Sequence, residues 1–235
     1  MSPRPLRAVV FDLDDTLADL SGAERLAWAS VSRVIEELVP EVDIAAFRAR
    51  YVEVADGHYE RFVAGEIDFR GYRYERLEDA LAPWRPLDDD LFLAYSVEKR
   101  RIIEELWPVI DAAPTLDLLR ARGLRIGVLT NGPSAMQRRK LEVIGLAGHV
   151  DAVAISEEIG VGKPDPAAYA HALAALGVEA PETAMVGDSL VNDVEGALAA
   201  GLGGAVWVTR RETAAPPGAA KVARLGQVPA ALGLV

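Results

Sequence analysis

Asp12, Asp14 and Asp15 crowd into four positions directly behind the apolar run Arg7–Phe11. Two carboxylates about 4 Å apart repel by about 4 kcal/mol at an effective dielectric of 20, so such a group needs a reason. Turn formation and helix capping supply one, because aspartate is common in both. Cation binding supplies another. Three more polar groups follow along the chain: Thr130-Asn131-Gly132, Gly162-Lys163-Pro164, and Gly187-Asp188-Ser189 with Asn192-Asp193. Together they offer a hydroxyl donor, backbone amides, a lysine and two further acids, the parts of a site that holds an anion beside a cation. The chain has no cysteine, and His58, His149 and His171 have no metal-ligand spacing. An all-oxygen donor set favours Mg2+, which commonly takes one or two carboxylates and a phosphate oxygen.

These groups matter only if the fold brings them together. Five short apolar runs read as buried strands: Arg7–Phe11, Leu124–Leu129, Ala152–Ile155, Thr183–Val186 and Ala205–Val208. Helical patterns lie between the last four. One carries Asp165 as N-cap, Pro166 at the first helical position and Gly177 just past its end. LDLLRARG and NDVEGALAAG also end on glycine. Alternation of this kind predicts an α/β fold, a doubly wound parallel sheet with helices on both faces. Each polar group stands at the carboxyl end of a strand, the edge where open parallel sheets bind ligands.

One interval breaks the rhythm. From Phe11 to Leu124 is far longer than the about 30 residues a βαβ unit needs, so a helical domain is expected over residues 21–106. The sheet domain then comprises residues 1–20 and 107–235, with Trp107-Pro108 as the return hinge. Gly57, Gly65, Gly71 and Pro83–Pro86 read as turns of the insert, and TAAPPGAA near the end as a surface loop.

DLDDT from Asp12 to Thr16, TN at Thr130, KPDP at Lys163 and GDSxxND ending at Asp193 resemble, in order and over nearly the whole chain, the four motifs of the haloacid dehalogenase (HAD) superfamily. The insert is similar to that superfamily's first type of helical cap. GEIDFRGYRYERL, Gly65 to Leu77, resembles the cap of its nucleotidase and acylneuraminate phosphatase branch. The dehalogenases and phosphonatases of the superfamily lack the second aspartate of the first motif; Asp14 therefore aligns this chain with the phosphate-transferring members. The resemblance implies a Rossmann-type sheet and a Mg2+-dependent phosphatase acting on a small phosphate ester. It implies Asp12 as nucleophile forming an aspartyl phosphate, and Asp14 as general acid and base. The metal falls to Asp12, Asp188 and the Asp14 carbonyl, with Asp193 acting through water. Thr130, Asn131 and Lys163 would hold the phosphoryl group. Asp15 and Thr16 are read as shaping the turn, with Thr16 a candidate to steady Asp14. A closing cap would contact the leaving group through candidates such as Arg61, Tyr72, Arg73 and Arg76, whose alternative uses are packing and solvation.

Composition narrows the partners. A formal charge of −11 argues against non-specific nucleic-acid binding, which needs clustered Lys and Arg. No apolar window approaches the length of a spanning helix or a signal peptide, so a cytoplasmic protein without membrane contact is expected. Two other readings stay open at this stage: a sugar phosphomutase, and a non-catalytic binding protein on the same scaffold.

Overall fold

A computed structural model describes residues 5–234, apart from the side chains of residues 56 and 63; the expected outer limits at residues 1 and 235 lie outside the described residues. The chain divides into two compact units. One runs up to Leu20 and resumes at Leu106; the other is Ser21–Glu105.

The first unit is a six-stranded, all-parallel sheet flanked by helices. Strand β1 (Ala8–Phe11) is buried along its whole length. Each large apolar side chain so placed contributes about 1.5–3 kcal/mol. The insert then supplies helices α1 to α5, described below. After α6 (Ala112–Ala121), the chain forms β2 (Arg125–Thr130), α7 (Ser134–Val143), β3 (Ala152–Ile155) and α8 (Ser156–Ile159). It continues through α9 (Pro166–Leu176), β4 (Thr183–Gly187), a wide helical turn at Leu190–Glu195, α10 (Gly196–Ala199), β5 (Gly204–Val208), β6 (Ala219–Val222) and α11 (Val228–Ala231). Strand order is β3-β2-β1-β4-β5-β6. The winding direction reverses between β1 and β4, and such a switch point opens a crevice at the carboxyl edge. Register aligns that edge: Phe11 pairs with Val128 on one side and Val186 on the other.

Helix α9 follows the expected punctuation. Asp165 accepts a hydrogen bond from Ala167 N–H at 2.8 Å, Pro166 opens the helix, and Gly177 closes it at φ 62°. Two expectations need correction. The TAAPPGAA stretch is a loop only to Gly218; Ala219 starts β6, an edge strand whose sequence AAKV lacks the β-branched run that marked the others. Gly57 and Gly71 are not turns but lie inside α3 and α4. Gly65, at φ 73°, is the turn between them.

The second unit contains α1 (Leu20–Leu38), α2 (Ile44–Glu53), α3 (Ala55–Val63), α4 (Phe69–Leu81) and α5 (Asp89–Glu104). Val31, Ile35 and Val39, spaced by four, pack with Phe47 and Tyr51 of α2, Leu77 and Leu81 of α4, and Leu91 and Tyr95 of α5. Asp43, Asp68 and Asp88 cap α2, α4 and α5 by accepting from backbone N–H groups. Among the described residues, no helix is long and apolar enough to cross a membrane.

The insert leaves and rejoins the sheet unit through paired backbone. Asp19 N–H donates to Trp107 C=O at 3.1 Å and Val109 N–H to Leu17 C=O at 2.8 Å. Trp107 Nε1 donates to Asp19 Oδ2 at 3.0 Å.

Candidate active site

Asp12 follows β1 and is 8% exposed; its N–H donates to Val186 C=O at 2.9 Å, tying it to the neighbouring strand. Beyond it the chain folds back tightly, with Leu17 and Ala18 N–H groups both donating to Leu13 C=O at 2.9 Å. Asp15 adopts φ 58° there, a left-handed conformation that aspartate tolerates better than most residues.

Lys163 joins two strand ends. Its ammonium donates to Asp12 Oδ1 and to Asp193 Oδ1, each at 2.6 Å. All three residues are buried. Asn131 holds the lysine backbone with both ends of its carboxamide: Nδ2 donates to Lys163 C=O at 2.8 Å, and Oδ1 accepts from Lys163 N–H at 2.8 Å. This clip explains Gly162, since a Cβ at that position would lie 2.9 Å from Asn131 Oδ1.

On the other side, Asp193 Oδ2 accepts from Ser189 N–H at 3.0 Å. Gly187 makes that approach possible, because a Cβ there would sit 2.2 Å from Asp193 Oδ2. Trp207 Nε1 donates to Asp188 C=O at 2.9 Å and fixes the end of β4. The Asp188 side chain is exposed at the rim. Carboxylate oxygens of Asp12, Asp188 and Asp193 lie within 4.8 Å of one another.

Two buried residues absent from the sequence reading complete the arrangement. Lys140 of α7 donates to both oxygens of Asp14 at 2.7 Å. Gln137, one helical turn earlier, donates through Nε2 to Thr130 Oγ1 at 2.5 Å and to Asp14 Oδ2 at 3.1 Å. Because Thr130 accepts from Gln137, its own O–H stays available as a donor. These two contacts, rather than Thr16, hold Asp14. The Thr16 hydroxyl is buried without a hydrogen-bond partner. A sequence signal existed: positions 137, 140, 141 and 144 form the buried stripe of α7, and two polar residues occupy it beside Leu141 and Ile144.

Burial pushes the Asp12 carboxyl up to about 8, Lys163 opposing and Asp193 and Asp14 adding to the rise. Burial, then the charges of Asp193 and Asp15, raises Asp188 to about 6. Burial by itself disfavours the Lys163 charge, but Asp12 and Asp193 outweigh it and hold the ammonium above the ordinary lysine range. Asp12 and Asp193 share the Lys163 ammonium while Asp188 stands near both acids, and the excess negative charge is what a divalent cation balances. Three carboxylates within 4.8 Å of one another, all oxygen donors, fit a hard divalent cation such as Mg2+.

Of the residues expected to act, Asp12, Lys163, Asp188 and Asp193 therefore gather at one strand edge. Asp14 and Thr130 are joined through Gln137, and Asn131 supports the lysine backbone. His58 pairs with Asp79 and His149 with Asp117.

Known proteins resemble this chain in sequence and in fold. The chain is 43% identical over 166 residues to phosphoserine phosphatase of Thermus thermophilus, a match covering 70% of this chain and 64% of that enzyme. It is 31% identical over 208 residues to N-acylneuraminate-9-phosphatase of Mus musculus, covering 87% and 83%. By fold it superimposes on the HAD-hydrolase YfnB from Bacillus subtilis with a TM-score of 0.79 at 22% identity, covering 98% of this chain and all of that one. Residues 6–201 match the haloacid dehalogenase-like hydrolases, and the chain belongs to that family.

Proposed function

We propose that this enzyme is a Mg2+-dependent phosphatase that hydrolyses a small phosphate monoester through a phosphoryl group carried on Asp12. The observation that supports this best is the Lys163 bridge between Asp12 and Asp193 at the switch point of the sheet, with Asp188 alongside. The named relatives at 43% and 31% identity are both phosphatases.

An oxygen of Asp12 forms a bond to phosphorus while the bond to the leaving oxygen breaks. Asp14 gives its proton to that oxygen. In the second half, Asp14 takes a proton from water as the water attacks phosphorus and the Asp12–phosphorus bond breaks. Lys140 and Gln137 hold the Asp14 carboxyl in place for both transfers. The Thr130 hydroxyl, the amides after β2 and the Lys163 ammonium bind the phosphoryl oxygens as charge builds on them. Asp12, Asp188 and the Asp14 carbonyl would hold Mg2+, with Asp193 beyond them; the ion supplies neutralisation of the phosphoryl charge.

The leaving group is a small metabolite. Hydrolysis of p-nitrophenyl phosphate should require Mg2+ and fall on the order of 10⁴-fold in Asp12→Asn. Full turnover in that variant would remove Asp12 as nucleophile. A panel containing phosphoserine, N-acylneuraminate 9-phosphate and sugar phosphates, read by inorganic phosphate release, should yield one preferred ester. Isomerised sugar phosphate without released phosphate would instead mark a mutase.

A further inference from the structure

The helical unit holds a second charged pocket that the proposed chemistry does not use. It lies between α4 and α5, has a volume of about 460 Å³, and is lined by Phe69, Arg70, Arg73, Phe92, Ser96 and Arg100. Three guanidinium groups share it with one carboxylate, Asp89. This is a local inversion of charge in a chain whose formal net charge is −11.

Several other arginines of this unit have partners. Arg61 pairs with Glu75, Arg85 pairs with Asp88, and Arg76 donates to Tyr72 Oη at 2.8 Å. Among the described residues, Arg70, Arg73 and Arg100 form no ion pair. Nη2 of Arg73 and the hydroxyl of Ser96 are shielded from water and have no hydrogen-bond partner; Ser96 is 8% exposed. Buried polar groups are nearly always paired, so two orphan donors in the lining of one pocket call for an acceptor.

Aromatic rings fix the arginines. Arg73 Cζ stands 5.3 Å from the Tyr95 ring centroid and 6.0 Å from that of Phe69; Arg70 Cζ is 5.6 Å from Phe92. Stacking holds a guanidinium by its face and leaves its N–H edge for a planar or tetrahedral oxyanion.

We propose that this pocket binds the oxyanion, carboxylate or phosphate, of a small metabolite, with Arg73 and Ser96 as donors and Arg70 and Arg100 as flanking charges. Two sources share that chemistry: an acidic group on the substrate away from its scissile phosphate, which rests on the phosphatase reading, or a separate effector, which does not.

The binding arm uses the full chain without divalent metal, titrated with succinate and with inorganic phosphate at concentrations that fill a site of about 1 mM Kd. With succinate, amide shifts confined to residues 69–73 and 92–100 are expected; with phosphate the same residues shift beside those after β2; in both titrations the affinity read at residues 69–73 and 92–100 is about tenfold weaker in Arg73→Gln and in Arg100→Gln, and partly kept in Arg73→Lys. Absence of binding, or unchanged affinity in both glutamine variants with melting temperature retained, overturns the proposal. Failure of catalysis leaves this arm untouched. For a substrate group, Arg100→Gln lowers kcat/KM about tenfold for phosphate esters bearing a carboxylate and leaves p-nitrophenyl phosphate unaffected. For an effector, succinate alters p-nitrophenyl phosphate turnover in the native chain, and Arg73→Gln loses that response.

Discussion

The sheet unit and the helical unit treat their cations in opposite ways. At the sheet edge, Lys163 and Lys140 each meet carboxylate oxygens at 2.6–2.7 Å, and both lysines are buried. In the helical pocket, among the described residues, Arg70, Arg73 and Arg100 form no ion pair, and Arg70 and Arg73 stand over aromatic rings. The first arrangement fixes geometry before any ligand arrives, because removing one member strands the others as uncompensated buried charge. The second leaves its charge uncommitted. Preorganisation suits bond making, which is sensitive to position; uncommitted charge suits recognition, where the ligand itself brings the missing partner.

Three changes would break or sharpen that contrast. The largest effect is expected from Gly187→Ala, whose Cβ would overlap Asp193 and push it off Lys163. Overpacking of this kind costs about 1–3 kcal/mol, and activity should fall about 100-fold, within the range ascribed to misplacement near the chemistry. Thermal melting and kcat measure both; native values for each would mean that the saturated network is softer than its distances imply. Next comes Lys140→Met, which leaves Asp14 with Gln137 alone. A loss of at least about tenfold in kcat is expected, larger for poor leaving groups than for p-nitrophenol, because only the former depend strongly on the acid. An equal loss for all esters would reassign Lys140 to simple packing.

The smallest effect is on stability, and its sign follows from Asp12 and Asp188. Their folded values of about 8 and about 6 lie above the ordinary 3.8. Between about pH 4 and 8 the folded chain therefore holds more protons than the unfolded one, and stability falls as pH rises. In chelator, the melting temperature should drop across this interval. Mg2+ should restore it most at the alkaline end, where the carboxylates are ionised and free to bind. A flat profile without metal would show that these acids are not linked to folding.

Much of the sheet edge was legible in the amino-acid order because each polar group directly follows an apolar run. A buried strand ends abruptly, and what stands next to it is placed by the strand itself. Asp12, Thr130 and Asp188 were readable for that reason. Gln137 and Lys140 were not, since they reach the edge sideways from α7, and a lysine after two arginines reads as a solvated helix face. Only its stripe position betrays it. β6 escaped because an edge strand needs one paired side and little apolar sequence. The helical pocket escaped for another reason: an arginine stacked on a ring and an arginine in water have the same local sequence, and only packing tells them apart.

The backbone neck at Asp19 and Trp107 has an evolutionary corollary. Because the outgoing and returning chains are hydrogen-bonded to each other within the sheet unit, that unit sees its 85-residue guest as little more than a loop closed at its base. A helical unit of different size, joined at these two positions, should leave the fold of the sheet unit unchanged.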